Sequence, residues 1–195
     1  MGHKFAEIAF TPNVKRVQET MGSRRSYRRL EQGDAHHDVL GPNEAAFIAE
    51  RDSFYMATVG ETGWPYIQHR GGPPGFIRVL DEKTIGFADF RGNRQYVSVG
   101  NLDNDDRVSL ILVDYPNRAR LKILGRARLV GLDDKDIIEE LSIPGYRAVV
   151  ERGIVIRIEA FDWNCSQHIT PRYKLSEIDN ATASLHQRIA ELGEP

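Results

Sequence analysis

The sequence predicts a mainly β protein, an antiparallel and Greek-key-like barrel with flanking helices. Three observations predict it. From residue 54 onward the apolar residues recur with period 2 instead of 3.6. Roughly seven strand-like segments follow, most of them joined by short turns. Helices are confined to the ends and one crossover, and neither G-x-G-x-x-G after a strand nor G-x4-G-K-[ST] occurs. Strands at this density argue for a barrel over a doubly wound sheet.

Taken in order, the first forty residues are polar and basic, with Val14, Val17 and Met21 at helical spacing. They read as one or two short helices forming an arm with no core of its own. Residues 34–42 form a loop, in which His36 and His37 read as solvated. Pro42, followed by Asn43 and Glu44, starts a helix with an acidic first turn, as the helix dipole prefers. Residues 54–59 and 64–70 form a hairpin around Gly60 and Gly63, and Gly71-Gly-Pro-Pro-Gly75 ends its second strand. Residues 76–80 and 84–88 pair across a turn at Asp81. A short helix is expected over 93–101. Residues 108–113 are apolar on both faces, as a central strand is, and 120–130 alternate. A helix capped at Asp133 runs to Leu141, a second short helix is expected over 145–151, and a strand returns from Ile154. The tail carries Ile178, Ala181, Leu185, Ile189 and Leu192 at helical spacing, a stripe that needs a surface to lie on. The organisation expected is an arm over 1–42, the barrel over 43–175 and an amphipathic helix over 176–195.

Composition narrows the function classes. With 26 Lys and Arg against 28 Asp and Glu in 195 residues, bulk charge does not grip nucleic acid or an anionic membrane, so any anion is bound locally. Cys165 is the single cysteine, which leaves no intrachain disulfide and suits a reducing compartment. The opening residues carry charge where a signal peptide needs an apolar run of about 7–15 residues, and no stretch approaches the ~18 apolar residues of a membrane span. A cytoplasmic protein without membrane or nucleic-acid partners is expected.

Two segments carry chemistry. In Phe87-Ala-Asp-Phe-Arg-Gly-Asn-Arg-Gln-Tyr96 a strand ends, Gly92 permits a sharp turn, and Asn93, Arg94 and Gln95 open a helix. Free amides at a helix start and a guanidinium fork make an anion cradle, though the same residues also read as a capped surface helix. Gln68-His69-Arg70-Gly71-Gly72 places long donors beside two residues without side chains, a surface for a flat ring or a simple strand break before Pro73. Cys165 and His168 have half of a metal spacing and lack the other ligands that structural zinc needs, so no metal is expected. Ser166 near His168 is no oriented nucleophile–base pair. The run Arg24, Arg25, Arg28, Arg29 has only Tyr27 beside it as a stacking aromatic and reads as a solvated helix face.

Pro65-x-x-Gln68, the turn from Phe87 to Gln95, Arg107-Val-Ser-Leu and Leu124-Gly-Arg-Ala-Arg-Leu129 resemble the pyridoxamine 5'-phosphate oxidase-like FMN-binding split barrels. His69-Arg-Gly-Gly-Pro, Phe90-Arg-Gly-Asn-Arg-Gln-Tyr and Asp114-Tyr-Pro-Asn-Arg resemble the subgroup described as predicted flavin-nucleotide-binding proteins related to that oxidase. The resemblance covers about residues 43–175 and is carried by the order and spacing of the set.

The resemblance implies a homodimer with FMN at the subunit interface. Arg94 matches the arginine of the family's Arg-Lys phosphate pair, whereas Gln95 stands where lysine is usual. Arg70, His69 or Arg91 are the candidates to restore that charge, and Asn93 accompanies Arg94 at the phosphate. The segment lining the flavin ring falls on Gln68, His69, Arg70, Gly71 and Gly72, and the pair at the next strand's end on Ala88 and Asp89. Arg120 stands where a flavin-contacting glutamine is usual. Trp163 and Arg172 correspond to a Trp and an Arg near the family's C-terminus that touch FMN. The oxidase's substrate-phosphate residues have no clear equivalents here, so vitamin B6 oxidation is not assigned. The expectation is an FMN-dependent oxidoreductase acting on an unidentified small molecule or electron donor, with His168 the one weak catalytic candidate. Its alternatives are a flavin-binding or flavin-sequestering module without turnover, and a barrel of this kind that takes haem or a deazaflavin.

Overall fold

The computed structural model describes residues 2–33, 36–164 and 166–193. Cys165 lies outside the described residues. The barrel is built from seven antiparallel strands: β1 (Ser53–Val59), β2 (Pro65–Gly71), β3 (Ile77–Asp81), β4 (Thr84–Phe90), β5 (Arg107–Asp114), β6 (Ala119–Val130) and β7 (Val150–Asn164). Their order in the sheet is β2-β1-β5-β6-β7-β4-β3. This is the antiparallel barrel with flanking helices that the alternating pattern predicts, in the split-barrel form that the resemblance implies.

The sheet curls until its ends meet. β2 and β4 stand five places apart in the strand order, yet Arg70 of β2 forms an ion pair with Asp89 of β4. Inside the curl, Phe54 of β1 stacks on Phe76 at 5.8 Å and meets the edge of Phe87 of β4 at 5.2 Å. One apolar core, including Met56, Ile85, Leu110, Leu112, Leu121, Ile123 and Ile156, fills the interior. Every strand except β2 contributes residues to it, largely alternate ones, because successive side chains point to opposite faces.

Seven helices flank the barrel among the described residues: α1 (Lys4–Ala9), α2 (Pro12–Thr20), α3 (Arg24–Glu31), α4 (Pro42–Ala49), α5 (Val97–Asn104), α6 (Lys135–Leu141) and α7 (Leu175–Gly193). Pro42 stands at the first turn of α4, and Glu44 Oε2 accepts from the Gly41 amide at 3.0 Å, so that start follows the expected chemistry. Asp134, one residue past the expected Asp133, caps α6 by accepting from the Ile137 amide.

Several expectations are corrected. The arm holds three helices, and its first one docks: Ala6 and His3 are buried against the barrel, with Phe5 under the Lys122 ammonium at 4.7 Å. His37 is not solvated; its ring stacks on His3 at 4.1 Å and faces Phe161 at 5.1 Å. The helix expected over 93–101 begins only at Val97, because Arg94 and Tyr96 adopt left-handed backbone with φ of 62° and 53°. No helix forms over 145–151. Those residues are an extended approach to β7, which starts at Val150 rather than Ile154 because Arg91 donates its amide to the Val149 carbonyl at 2.8 Å and Phe90 pairs with Val150. β5 is an interior strand as expected, but its burial alternates rather than being complete on both faces.

Candidate functional site

Where β2 and β4 converge, the ends of both strands and the loop over 91–96 enclose two adjoining clefts. The larger, about 180 Å³, is lined by Gln68, His69, Arg70, Gly71, Phe76, Phe87, Ala88, Asp89, Phe90 and Gly92. The smaller, about 50 Å³, adds Asn93, Arg94, Tyr96, Ser98, Val99 and Glu151. Of the thirteen cofactor-contacting positions expected from sequence, eight line these clefts: Gln68, His69, Arg70, Gly71, Ala88, Asp89, Asn93 and Arg94; Gly72 packs behind Phe76, which lines the larger one. A Cβ on Gly72 would stand 2.7 Å from the Phe76 ring, so only glycine fits that close approach.

The cleft is polar and strongly organised. β2 alternates, with Gln68 and Arg70 more covered than His69 and Gly71. The Gln68 carboxamide oxygen accepts from the Ser98 hydroxyl at 2.9 Å, which ties β2 to the start of α5. His69 packs edge-on against Tyr55 at 5.4 Å. Asp89 is buried and is engaged by two cations, Arg70 and Arg152. The Arg152 Nε faces Asp89 Oδ2 at 3.5 Å, while the Arg70 Nε is buried without a hydrogen-bond partner. Buried polar atoms of this kind are costly to leave unpaired, and in a cleft they mark where a polar ligand atom belongs.

The loop is held by its own side chains. Asn93 Oδ1 accepts from the Gln95 amide at 3.2 Å, and Arg94 Nε donates to the Tyr96 hydroxyl oxygen at 3.3 Å. Tyr96 in turn donates to Glu151 Oε1 at 3.2 Å, and the Arg152 guanidinium lies over the Tyr96 ring at 5.1 Å. Arg91 Nε donates to the same Glu151 oxygen at 2.9 Å, which holds that carboxyl below its ordinary range. Asn93, Arg94 and Gln95 therefore do not open a helix, so the helix-terminal amides expected to form a cradle there are absent and the loop is ordered by side-chain bonds instead. Gln95 lines neither cleft.

The remaining expected positions are elsewhere on the chain. Arg120 begins the long run of β6, opposite Val113 and Asn164, with its Nε buried and unpartnered. Trp163 Nε1 donates to Glu44 Oε1 at 2.7 Å while the ring packs on Phe47 at 4.8 Å. Arg172 lies over the Tyr115 ring at 4.8 Å, on the wall of a separate cleft of about 470 Å³ shared with Arg51, Asp52, Asp114 and Lys174. Arg51 and Asp114 are both nearly buried there and paired at 3.1 Å. His168 sits on an exposed loop with φ 63° and lines none of these clefts.

Sequence reasoning missed Ser98, Glu151 and Arg152. Ser98 and Arg152 carry no local signal, because their roles arise from strands distant in sequence. Glu151 was expected in a helix. Among the described residues no group of three or more His, Cys, Asp or Glu side chains could hold a metal ion. Nor is any described helix long and apolar enough to cross a membrane.

No curated protein matches the chain. Similar solved structures include HupZ of Group A Streptococcus, at 16% identity over 69% of this chain and 100% of that one, TM-score 0.49. A protein related to general stress protein 26, of the pyridoxinephosphate oxidase family, from Clostridium acetobutylicum is 18% identical over 70% of this chain and 94% of that one, TM-score 0.46. An F420 reductase is 19% identical over 63% and 98%, TM-score 0.41. A family model described as pyridoxamine 5'-phosphate oxidase matches residues 40–157, which span α4, β1 to β6 and the first half of β7. With its barrel matched from the first strand into the last, the chain belongs to the pyridoxamine 5'-phosphate oxidase family.

Proposed function

We propose that the protein is an FMN-binding flavoprotein, and an oxidoreductase acting on a small molecule, with its flavin site shared between two copies of the chain. The observation that carries this reading is the cleft between β2, β4 and the loop over 91–96. Arg70 and Arg94 line it, and Arg91 and Arg152 stand beside it, paired with its two carboxylates Glu151 and Asp89, next to an aromatic and glycine-lined wall. Such a surplus of forked donors suits a phosphate, and the wall of Phe76, Phe87 and Gly71 suits a flat ring.

Gln95 leaves one cation fewer on the loop than the family's usual pair, and Arg91 with Arg152 stands close enough to supply it. Arg94 would hold the phosphate, Gln68 and Arg70 would meet the polar edge of the ring, and their buried environment would exclude water from one face. When bound, the flavin supplies the hydride chemistry, and the protein supplies binding, orientation and a dry surface. The clefts of one chain, about 180 and 50 Å³, fall short of the roughly 300 Å³ or more that small-molecule sites enclose. That shortfall favours a second copy contributing Arg120, Trp163 and Arg172.

The second reading is a flavin-binding module without turnover. It is favoured by the exposed position of His168, the one proton-donor candidate, outside the clefts.

The absorption spectrum of freshly purified protein, with mass spectrometry of the released small molecule, tests the cofactor. Flavin bands support the reading. A Soret band, or the mass of a deazaflavin, overturns it in favour of haem or that cofactor. Arg94→Ala is expected to weaken FMN binding by about 1–3 kcal/mol, since a charge-assisted contact is lost. Unchanged affinity by titration removes Arg94 from the site. Reduction of the bound flavin by nicotinamide cofactors at steady state separates the enzyme from the passive module.

A further inference from the structure

Glu151 owes its position to a bulge. In the ladder between β4 and β7, Asp89 faces Arg152 and Phe90 faces Val150, so Glu151 is the extra residue. A bulge of this kind bends the strand and re-aims a side chain. Here it turns the Glu151 carboxylate into the cleft, where the side chain is 12% exposed.

Three donors meet on that carboxylate. Arg91 Nε stands 2.9 Å and the Tyr96 hydroxyl 3.2 Å from Oε1, and Arg152 Nη2 stands 3.4 Å from Oε2. Arg94 reaches the same tyrosine at 3.3 Å. The other carboxylate of the cleft, Asp89, is already engaged by Arg70 and Arg152. The donors that an incoming phosphate needs are thus gathered on one carboxylate, and guanidinium and hydroxyl donors bond carboxylate and phosphate oxygens in the same way.

We propose that Glu151 is an internal anion that holds Arg91 and Tyr96 at the mouth of the cleft and gives them up to the phosphate of the ligand, so that it sets the preference for phosphorylated over unphosphorylated flavin. The inference rests on the flavin reading of this cleft. Two opposed effects follow. Glu151 keeps the donors gathered, which reduces the ordering that binding must supply. It also competes for them and places a like charge beside the phosphate, which weakens binding.

Glu151→Gln keeps the shape and removes the charge. FMN, riboflavin and inorganic phosphate are titrated into the parent and the variant, with folding checked by circular dichroism. The expected result is FMN bound about three- to tenfold more tightly by the variant, with riboflavin unchanged and inorganic phosphate tightened in parallel. Equal loss for FMN and riboflavin makes Glu151 a structural support and overturns the proposal. So does an equal gain for both, or no change in either. Should neither flavin bind even the parent, the flavin reading fails, and the phosphate titration still decides the role of Glu151: unchanged or weaker phosphate binding by the variant rejects it. If Glu151→Gln does not fold, Glu151→Asp shortens the reach to Arg91 and Tyr96, and a smaller gain in the same direction is expected; a loss for FMN overturns the proposal.

Discussion

Asp89 is a buried carboxylate whose two neighbours are arginines on different strands, Arg70 of β2 and Arg152 of β7. A buried charge is tolerated only when it is paired, and removing one member leaves the others uncompensated. This residue is among those expected to contact the flavin; in the structure its carboxylate positions two guanidinium groups, and the Nε of Arg70 is buried without a hydrogen-bond partner. The loop beside it carries two non-glycine residues in left-handed backbone, Arg94 and Tyr96, each costing about 1–3 kcal/mol. Side-chain bonds from Asn93, Tyr96 and Glu151 offset that cost. Gly125 shows a different constraint. A Cβ there would stand 2.6 Å from the Arg157 carbonyl oxygen, a backbone atom that cannot swing away, at a bulge between β6 and β7. Gly125→Ala is expected to destabilise the fold by about 1–3 kcal/mol through overpacking, read as a lowered urea midpoint with an unchanged slope. At this scale the motif residues were legible in sequence, Gly72 and Arg94 among them. Glu151 and Arg152 were not, since a bulge is a property of two strands in register and one strand's sequence does not show it.

Among the elements, α1 is held by an unusual contact. His3 is buried, stacked on His37, with Nε2 3.9 Å from Asp162 Oδ1 and Nδ1 unpartnered. Burial, and then the neighbouring His37, hold His3 below its ordinary 6.5, while Asp162 works in the opposite direction. The docked state therefore binds its proton less readily than the undocked one. Docking is at full strength above about pH 6.5 and weakens as the pH falls below it, with a proton taken up on release. Hydrogen exchange at pH 7.5 and 5.5 is expected to show protection over Lys4–Ala9 dropping at the lower pH while the strands stay protected. His3→Phe is expected to abolish that dependence, and its persistence in the variant would assign it to another group. The periodicity of Val14, Val17 and Met21 exposed the helical character of this region. It did not reveal the docking, because six residues with one buried alanine make too short a stripe to read. The tail stripe is helical as read, but the surface it was expected to lie on is not supplied by this chain: Ile178, Leu185 and Ile189 lie on α7 exposed.

On the scale of the whole molecule, the curl of the sheet makes the site. Strands five places apart in the order meet only because the barrel closes, and the cleft forms along that seam. Arg120, Trp163 and Arg172 end on other parts of the same chain, two of them outside the residues matched to the family. If a second copy brings them to the cleft, ligand retention depends on protein concentration. Dilution of the flavin-loaded protein is then expected to release flavin in step with the fall in mass seen by analytical ultracentrifugation. Flavin retained by a demonstrated monomer would contradict the shared site.

The sequence by itself determined the strand count, the antiparallel class, the glycine-marked turns and the segments that carry cations toward the cleft. Each of these rests on local causes: side-chain period, φ preference and turn chemistry. Only the tertiary structure decided the strand order, the docking of α1, the late start of α5 and the ion-pair network around Asp89 and Glu151. Those depend on which distant strands pair and in what register, and a one-residue bulge there re-aims a charge without leaving a mark in the local pattern.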